Sequence, residues 1–298
     1  MNEINLEIPS GRYVVAVSGG VDSMVLIDIL KDKKDLKLTI AHFDHGIRSN
    51  SKEDLDLVRN IGLKYGIPFI YDQGNLGIGA SELDARKVRY DFLRKVKVAT
   101  SANAIITAHH QDDILETAIH NLIRGTNRKG LSSLKTTDEI IRLLKDMSKE
   151  DIYEYAKKRN LTWNEDYTNQ DISYKRNYIR HKIINRFNND QKNQFIRILK
   201  TSNELNNQID EELCEYLNSN SVDNKLNRLS FIVLPHKVAV EIMATWLRKN
   251  GVREFDKKLL EKLTIEAKTL RPKQRSDINI AYFLEINKDY LALIRREC

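Results

Sequence analysis

Two short stretches carry most of the side chains able to do chemistry. In "HHQDDILET" (109–117), Asp112 and Glu116 stand at i and i+4, and Asp113 and Glu116 at i and i+3, so either pair shares a face on a helix. Carboxylates at a helix N-terminus stay ionised because the helix dipole favours negative charge. They suit a magnesium–phosphate complex or a cationic substrate. His109 and His110 sit just before them, but this His/Asp spacing is only weakly specific for zinc, and Asp112 alone also reads as a simple N-cap. In "SGGVDS" (18–23), Ser18 and Ser23 offer hydroxyls, Gly19 and Gly20 admit close backbone approach, and Asp22 can hold a divalent cation against a phosphate. The stretch lacks the GxxxxGK[ST] spacing of a P-loop, so no lysine stands at the helix start to accompany a phosphate.

Both stretches need elements that present them. Val14 to Val17 read as a buried strand running into the glycine turn, and Met24, Val25, Ile27 and Leu30 recur behind it at helical spacing. Strand, glycine turn and helix together aim free backbone N–H groups at an anion. Further strands are expected over 38–43, 68–72, 104–110 and 139–144, and helices over 22–32, 52–65, 82–100, 112–124 and 149–160. Three helices open on Ser-x-x-Asp: Ser51 to Asp54, Ser81 to Asp84 and Ser148 to Asp151. Strands alternating with helices predict an α/β fold with a doubly wound parallel sheet, whose ligands lie outside the carboxyl ends of the strands. "SGGVDS", "DHGIRS" (44–49) and "HHQDD" then line one edge. A long polar helix over 188–217 reads as a linker. Residues 218–298 read as a small α+β domain, with two strands around the turn "NKD".

The net charge of +7 lies in the second half: residues 1–140 balance 19 basic against 19 acidic side chains, and the remainder holds 30 against 23. Residues 175–200 carry eight basic side chains and one aspartate, with the aromatics Tyr178 and Phe187 interleaved and Tyr174 just before them. That pattern suits a nucleic-acid backbone, since each neutralised phosphate releases counterions; a solvated helix face is the plainer alternative. No run of 18 apolar residues and no signal-peptide pattern occur, so a soluble, cytoplasmic protein without a membrane partner is expected. The two cysteines, Cys214 and Cys298, form no CxxC pair and indicate neither a disulfide framework nor a zinc site.

"SGGVDS" resembles the signature of the N-type ATP pyrophosphatases. "HFDHGIRSNS" (42–51), "ARKVRYDFL" (85–93), "TAHHQDDILETAIHNLIRG" (107–125) and "RNYIRH" (176–181), in that order, resemble the strings of the tRNA(Ile)-lysidine synthetase family. The family's RGSG, RPLL and DPSN are replaced by "RGTN" (124–127), "RLLK" (142–145) and "DYTN" (166–169). The resemblance implies a catalytic ATP pyrophosphatase domain over 1–187, a helical linker over 188–217 and a tRNA-binding domain over 218–298. It implies ATP with Mg²⁺, free L-lysine and the tRNA(Ile) bearing a CAU anticodon, and leaves room for a homodimer. ATP would adenylate the 2-carbonyl oxygen of the wobble cytidine, and the ε-amine of lysine would displace AMP to give lysidine. Ser18, Gly19, Gly20, Val21, Asp22, Ser23 and His45 would hold the nucleotide, with Asp22 on the metal. Asp113, Glu116 and Arg89 would be catalytic, and Arg86, Asp112, Arg124, Asn177 and Arg180 would bind substrates. Lysine adds a physical demand: with a pKa of about 10.4, only roughly one molecule in 2,500 is neutral at pH 7. An anion must hold its ammonium and a base must take its proton. Glu116, further from the dipole than Asp113, is the stronger candidate base. Two other readings stand beside this one: a sulfur-inserting relative acting on tRNA, which needs reactive or cluster-binding cysteines, and a non-catalytic RNA-binding protein.

Overall fold

The apolar run at Val14 becomes the middle strand of a parallel sheet. β1 (Gly11–Ala16) pairs with β2 (Leu36–Asp44) on one side and β4 (Ala104–Thr107) on the other; β3 (Phe69–Gln73) and β5 (Ile140–Arg142) complete the order β3-β2-β1-β4-β5. The computed structural model describes residues 8–44, 46, 51–74, 82–132, 136–165 and 175–296; His45 and the "DYTN" string lie outside them.

Covered on both faces, β1 is apolar continuously rather than in alternation. Tyr13, Val15 and Val17 face a layer made by α1 (Val21–Leu30), α2 (Ser51–Tyr65) and α5 (Lys149–Lys158), while Val14 faces α3 (Glu82–Ala99) through Leu93 and Val96. Helix α1 is buried almost all round, which its apolar residues allow and its one interior carboxylate complicates. Asp28 is buried and is bound by Lys31, by Tyr65 Oη at 3.1 Å, by Tyr155 Oη at 3.0 Å and by Arg159 Nε at 3.1 Å. Burial alone would raise its pKa; these donors outweigh that and hold the carboxyl below its ordinary value. A saturated carboxylate thus ties together α1, α2 and α5.

The expected capping boxes fare differently. Ser148 caps α5 and Asp151 bonds back to it. Ser51 is already the first residue of α2, and Asp54 Oδ1 instead accepts from Asn164 Nδ2 at 2.8 Å. Ser81 lies outside the described residues.

After β4 come α4 (Gln111–Ile123), α6 (Lys175–Lys182) and α7 (Asn189–Asn220). They share a core of Leu115, Ile119, Ile179, Ile184, Ile196 and Leu199. The chain divides into two compact units, Met1–Ser202 and Asn203–Cys298, at a point inside α7. In the second unit β6 (Ser221–Val222), β7 (Lys225–Asn227), β8 (Gln274–Asp277), β9 (Tyr282–Ile286) and β10 (Tyr290–Arg295) form an antiparallel sheet in the order β6-β7-β10-β9-β8. It carries α8 (Arg228–Ile232), α9 (His236–Lys249) and α10 (Lys257–Thr269) around the buried Trp246 and Phe231. Arg228 is spent internally there, donating to the carbonyls of Ala267, Leu270 and Asn287. Among the described residues, no helix is long and apolar enough to cross a membrane.

Candidate active site

β1 and β4 are neighbours, but the chain leaves β1 toward β2 on one side and β4 toward β5 on the other. This reversal opens a crevice at the carboxyl ends of the two strands. "SGGVDS" and "HHQDD" both emerge there.

The glycine loop is shaped from within. Ser23 Oγ donates to Gly20 O at 2.9 Å and accepts from the amides of Ser18 and Gly19, each at 3.2 Å. Ser18 Oγ lies 3.3 Å from it. Gly19 has φ +94°, and a Cβ there would meet Asp54 Oδ1 at 3.3 Å, so conformation and space both require glycine. Gly20 is the N-cap of α1 and supplies no side-chain cap, so Val21 opens a helix whose first amides face the crevice. Asp22 stands in that first turn. Lys149 Nζ, from the start of α5, reaches its Oδ1 at 2.6 Å.

At the second strand end His110, not Asp112, caps α4. Its Nδ1 accepts from the Asp112 amide at 3.3 Å, and Asp113 Oδ2 accepts from the His110 amide at 2.9 Å. Because an amide only donates, Nδ1 is unprotonated and the ring proton sits on Nε2. That atom lies 3.8 Å from Asp22 Oδ1 and 3.6 Å from Asp113 Oδ2, so carboxylates from two helix N-termini flank one ring.

Glu116, one turn further along α4, is buried. Arg180 of α6 holds it through two bonds, Nε to Oε1 at 2.5 Å and Nη2 to Oε2 at 3.1 Å, with Asp113 Oδ1 at 3.8 Å from the same guanidinium. The two acids then diverge. Burial raises Glu116 above its ordinary 4.5 despite Arg180. Burial also pushes Asp113 up, but the His110 ring and amide and Arg180 outweigh it and leave Asp113 below its ordinary value. One carboxylate is poised to take a proton and the other to remain an anion.

Asp112 faces elsewhere. Its Oδ2 accepts from Lys192 Nζ of α7 at 3.1 Å in a pair that is one-tenth exposed on either side, while its buried Oδ1 has no hydrogen-bond partner among the described residues. On the other flank Arg86 and Arg89 of α3 lie against Tyr90, their guanidinium carbons 4.8 and 5.6 Å from the ring centroid. Arg142, at the end of β5, is buried. Burial lowers the His109 pKa to about 3; Asp113 opposes this, and Arg142, Arg86 and Arg89 add to it. His109 is therefore neutral, its Nδ1 2.8 Å from Thr107 Oγ1.

The structure thus gathers Ser18, Gly19, Gly20, Val21, Asp22, Ser23, Asp113, Glu116, Arg86, Arg89 and Arg180 around the two strand ends. Asn177 lies one turn before Arg180 on α6. Arg124 is the C-cap of α4, roughly 20 Å along the helix from Asp112, and is exposed. The basic stretch after 175 is partly consumed internally, since Arg180, Lys192 and Lys200 pair with Glu116, Asp112 and Asp146. Lys149 and Arg142 carry no local signal in the sequence, and Lys192 stands out there only as one of the eight basic side chains of 175–200.

A loop-and-helix anion cradle at the switch point of a five-stranded parallel sheet is the architecture of a nucleotide-using α/β domain. The family model described as the PP-loop domain matches residues 1–187, and the chain belongs to that family. A tRNA(Ile)-lysidine synthase from Thermotoga maritima is 39% identical over 189 residues, covering 59% of this chain and 45% of that protein. One from Persephonella marina is 31% identical over 268 residues, covering 85% and 59%. The chain spans about half the length of the curated relatives it matches. Among solved structures, a U34-tRNA thiolase from Methanococcus maripaludis shares the fold, with a TM-score of 0.53 at 17% identity over 66% of this chain and 73% of that one.

Proposed function

We propose that the protein uses ATP to ligate free L-lysine to the 2-position of the wobble cytidine in tRNA(Ile) with a CAU anticodon. This would form lysidine, AMP and pyrophosphate and switch codon reading from AUG to AUA. A PP-loop domain supports the use of ATP, and the relatives' name supports the rest. The observation that carries the reading is the pair of acids at the start of α4, Asp113 held ionised and Glu116 raised, bound by one arginine beside the glycine loop.

The chemistry follows from those residues. The cytidine O2 attacks the α-phosphorus and the bond to the β-phosphate breaks. Arg86 and Arg89 would stabilise charge during that transfer. The lysine ε-nitrogen then attacks C2 and AMP leaves with the electron pair. Before that, Asp113 counters the ammonium and Glu116 accepts its proton, with Arg180 orienting both. Asn177 on α6, Arg124 and residues 218–298 are proposed RNA contacts, while Arg180 would act on substrate through Glu116 and Asp113; Asp112 would act on substrate only indirectly. His45 is kept as a nucleotide contact on the resemblance alone.

A divalent cation fits the residues present. Asp22 and Asp113 approach one imidazole nitrogen from two helices, and Mg²⁺ needs only one or two carboxylates when phosphates supply the remaining oxygens. Among the described residues no group of three or more metal-type ligands occurs, so phosphate oxygens would have to complete the shell. Mg²⁺ would neutralise phosphate charge there. The reaction belongs in the cytoplasm, by a monomer or a homodimer.

Sulfur insertion is disfavoured: the catalytic unit holds no cysteine, Cys214 is on α7, and Cys298 lies outside the described residues. The deciding assay is incorporation of labelled lysine into bulk bacterial tRNA with ATP and Mg²⁺, followed alongside pyrophosphate release. Label in RNA with tRNA-dependent pyrophosphate is expected. Pyrophosphate without label would overturn lysine as the nucleophile, and neither product would favour a non-catalytic RNA-binding protein.

A further inference from the structure

The peptide that joins Gly19 to Gly20 lies between two residues without a Cβ, so it can turn over at little steric cost. Its orientation decides what the loop shows to an anion. In a trans peptide the C=O and the N–H point to opposite sides, and only the N–H attracts a phosphate. The Asn164 amide makes the choice by donating to Gly19 O at 3.1 Å, which turns the Gly20 N–H the other way. That N–H has no hydrogen-bond partner among the described residues and stands beside the first-turn amides of α1. Asn164 and the segment before it are held from three sides. Asn164 Nδ2 donates to Asp54 Oδ1 at 2.8 Å, Trp163 packs edge-on to Tyr153 of α5 with ring centroids 6.2 Å apart, and the Leu161 amide donates to Ala156 O at 2.9 Å at the end of α5. Asp54 Oδ1, the acceptor in this chain of contacts, is also the atom that leaves no room for a Cβ at Gly19. On charge alone, a carboxylate so close to the loop opposes a phosphate there.

We propose that Asp54 and Asn164 are positioning residues of the nucleotide site, fixing the Gly19–Gly20 peptide with its N–H toward the phosphates of ATP. The inference rests on the ATP half of the proposed function and is independent of lysine and tRNA. Both residues act through the loop backbone. Asp54 fastens the Asn164 side chain, the Asn164 amide occupies Gly19 O, and the Gly20 N–H is presented before the nucleotide arrives, so little reorganisation accompanies binding. With the peptide turned over, the Gly19 carbonyl would face the anion and the Asn164 amide would lose its acceptor. The charge of Asp54 makes the sign of the effect diagnostic. Removing a negative charge should by itself tighten ATP, whereas releasing the peptide should weaken it.

The test is direct binding, with no turnover required. Calorimetry on the full chain measures ATP and inorganic pyrophosphate, each with Mg²⁺, and adenosine, which carries no phosphate. Asn164→Ala and Asp54→Ala should each weaken ATP and pyrophosphate roughly 10-fold, as befits one loosened hydrogen bond to a charged group, and leave adenosine unchanged. Combining the two should add little, because both act through one contact. Asp54→Asn keeps the acceptor oxygen and should bind ATP at least as tightly as the parent. Tighter ATP binding in Asp54→Ala would show that the carboxylate acts by charge alone and would overturn the proposal. So would parent-like ATP binding in Asn164→Ala, or equal losses of ATP and adenosine there, the mark of a general loosening of the fold. Should Asp54→Ala unfold, Asn164→Ala and Asp54→Asn still decide the matter. If the parent binds no ATP, the proposed function falls and this inference with it.

Discussion

Replacing Lys192 with methionine separates a structural carboxylate from a catalytic one. Lys192 and Asp112 are each one-tenth exposed, and Asp112 Oδ1 has no partner among the described residues, so removing the ammonium strands a buried anion. Breaking a buried pair from one side costs about 3–5 kcal/mol, whereas replacing both partners with uncharged groups of similar volume is often close to neutral. Lys192→Met should therefore lose about that amount, and the double variant Lys192→Met/Asp112→Leu should recover most of it. For a unit of this size about 2–4 °C accompanies each kcal/mol, so the single variant should melt roughly 6–20 °C lower. The two compact units need separate reporters. Trp246 belongs to the second and Trp163 to the first, so in a Trp246→Phe background fluorescence reports the catalytic unit alone. Urea unfolding of the four members of the cycle gives the coupling energy directly. If the single variants each lose under 1 kcal/mol and their losses simply add, the pair is not coupled and Asp112 is free to contact substrate after all.

Glu116→Gln should reduce lysine transfer by at least about 100-fold while sparing tRNA-dependent pyrophosphate release, since a general base is worth that much and is needed only in the second step. In the parent, the acidic limb of lysine transfer should fall at a pH above the usual 4.5 of a glutamate, because burial raises that group. Asp28→Asn should lower urea stability by about 3–5 kcal/mol at pH 7. Its folded pKa lies below 3.8, so the stabilisation is complete above that value and is lost as pH falls through the folded pKa; the deficit measured at pH 7 should shrink at pH 3 and below. Gly19→Ala should cost about 1–3 kcal/mol, through its positive φ and the approach of Asp54, and should weaken ATP binding measured by calorimetry.

The parallel sheet was legible because its strands are apolar runs punctuated by helices with helical periodicity. Only the extent differed: the strand expected to reach residue 110 stops at Thr107, since His109 and His110 belong to the loop and the helix cap. In the second unit β9 and β10 could be read, whereas β6 and β7 are two and three residues long and β8 is the polar QRSD, too short or too polar for a periodic signal. The i, i+3 and i, i+4 spacing of the acids announced their shared face. What no spacing carries is the identity of partners met only in the tertiary fold. Lys149 reaches Asp22 across 127 residues and Lys192 reaches Asp112 across 80, so neither pairing is written in any local spacing.

Asp28 has a mechanical meaning as well as an electrostatic one. Helix α5 is fastened to α1 twice, through Lys149 to Asp22 at one end and through Tyr155 and Arg159 to Asp28 at the other. The Asp28 joint is 1% exposed with four donors; the Asp22 joint is 29% exposed and rests on one flexible lysine. A beam held so unequally yields at its weaker fastening, and its firm end becomes the fulcrum. Loss of the Asp22 contact would free α5 only at the crevice, while the buried aspartate keeps the rest of the helix seated on the sheet.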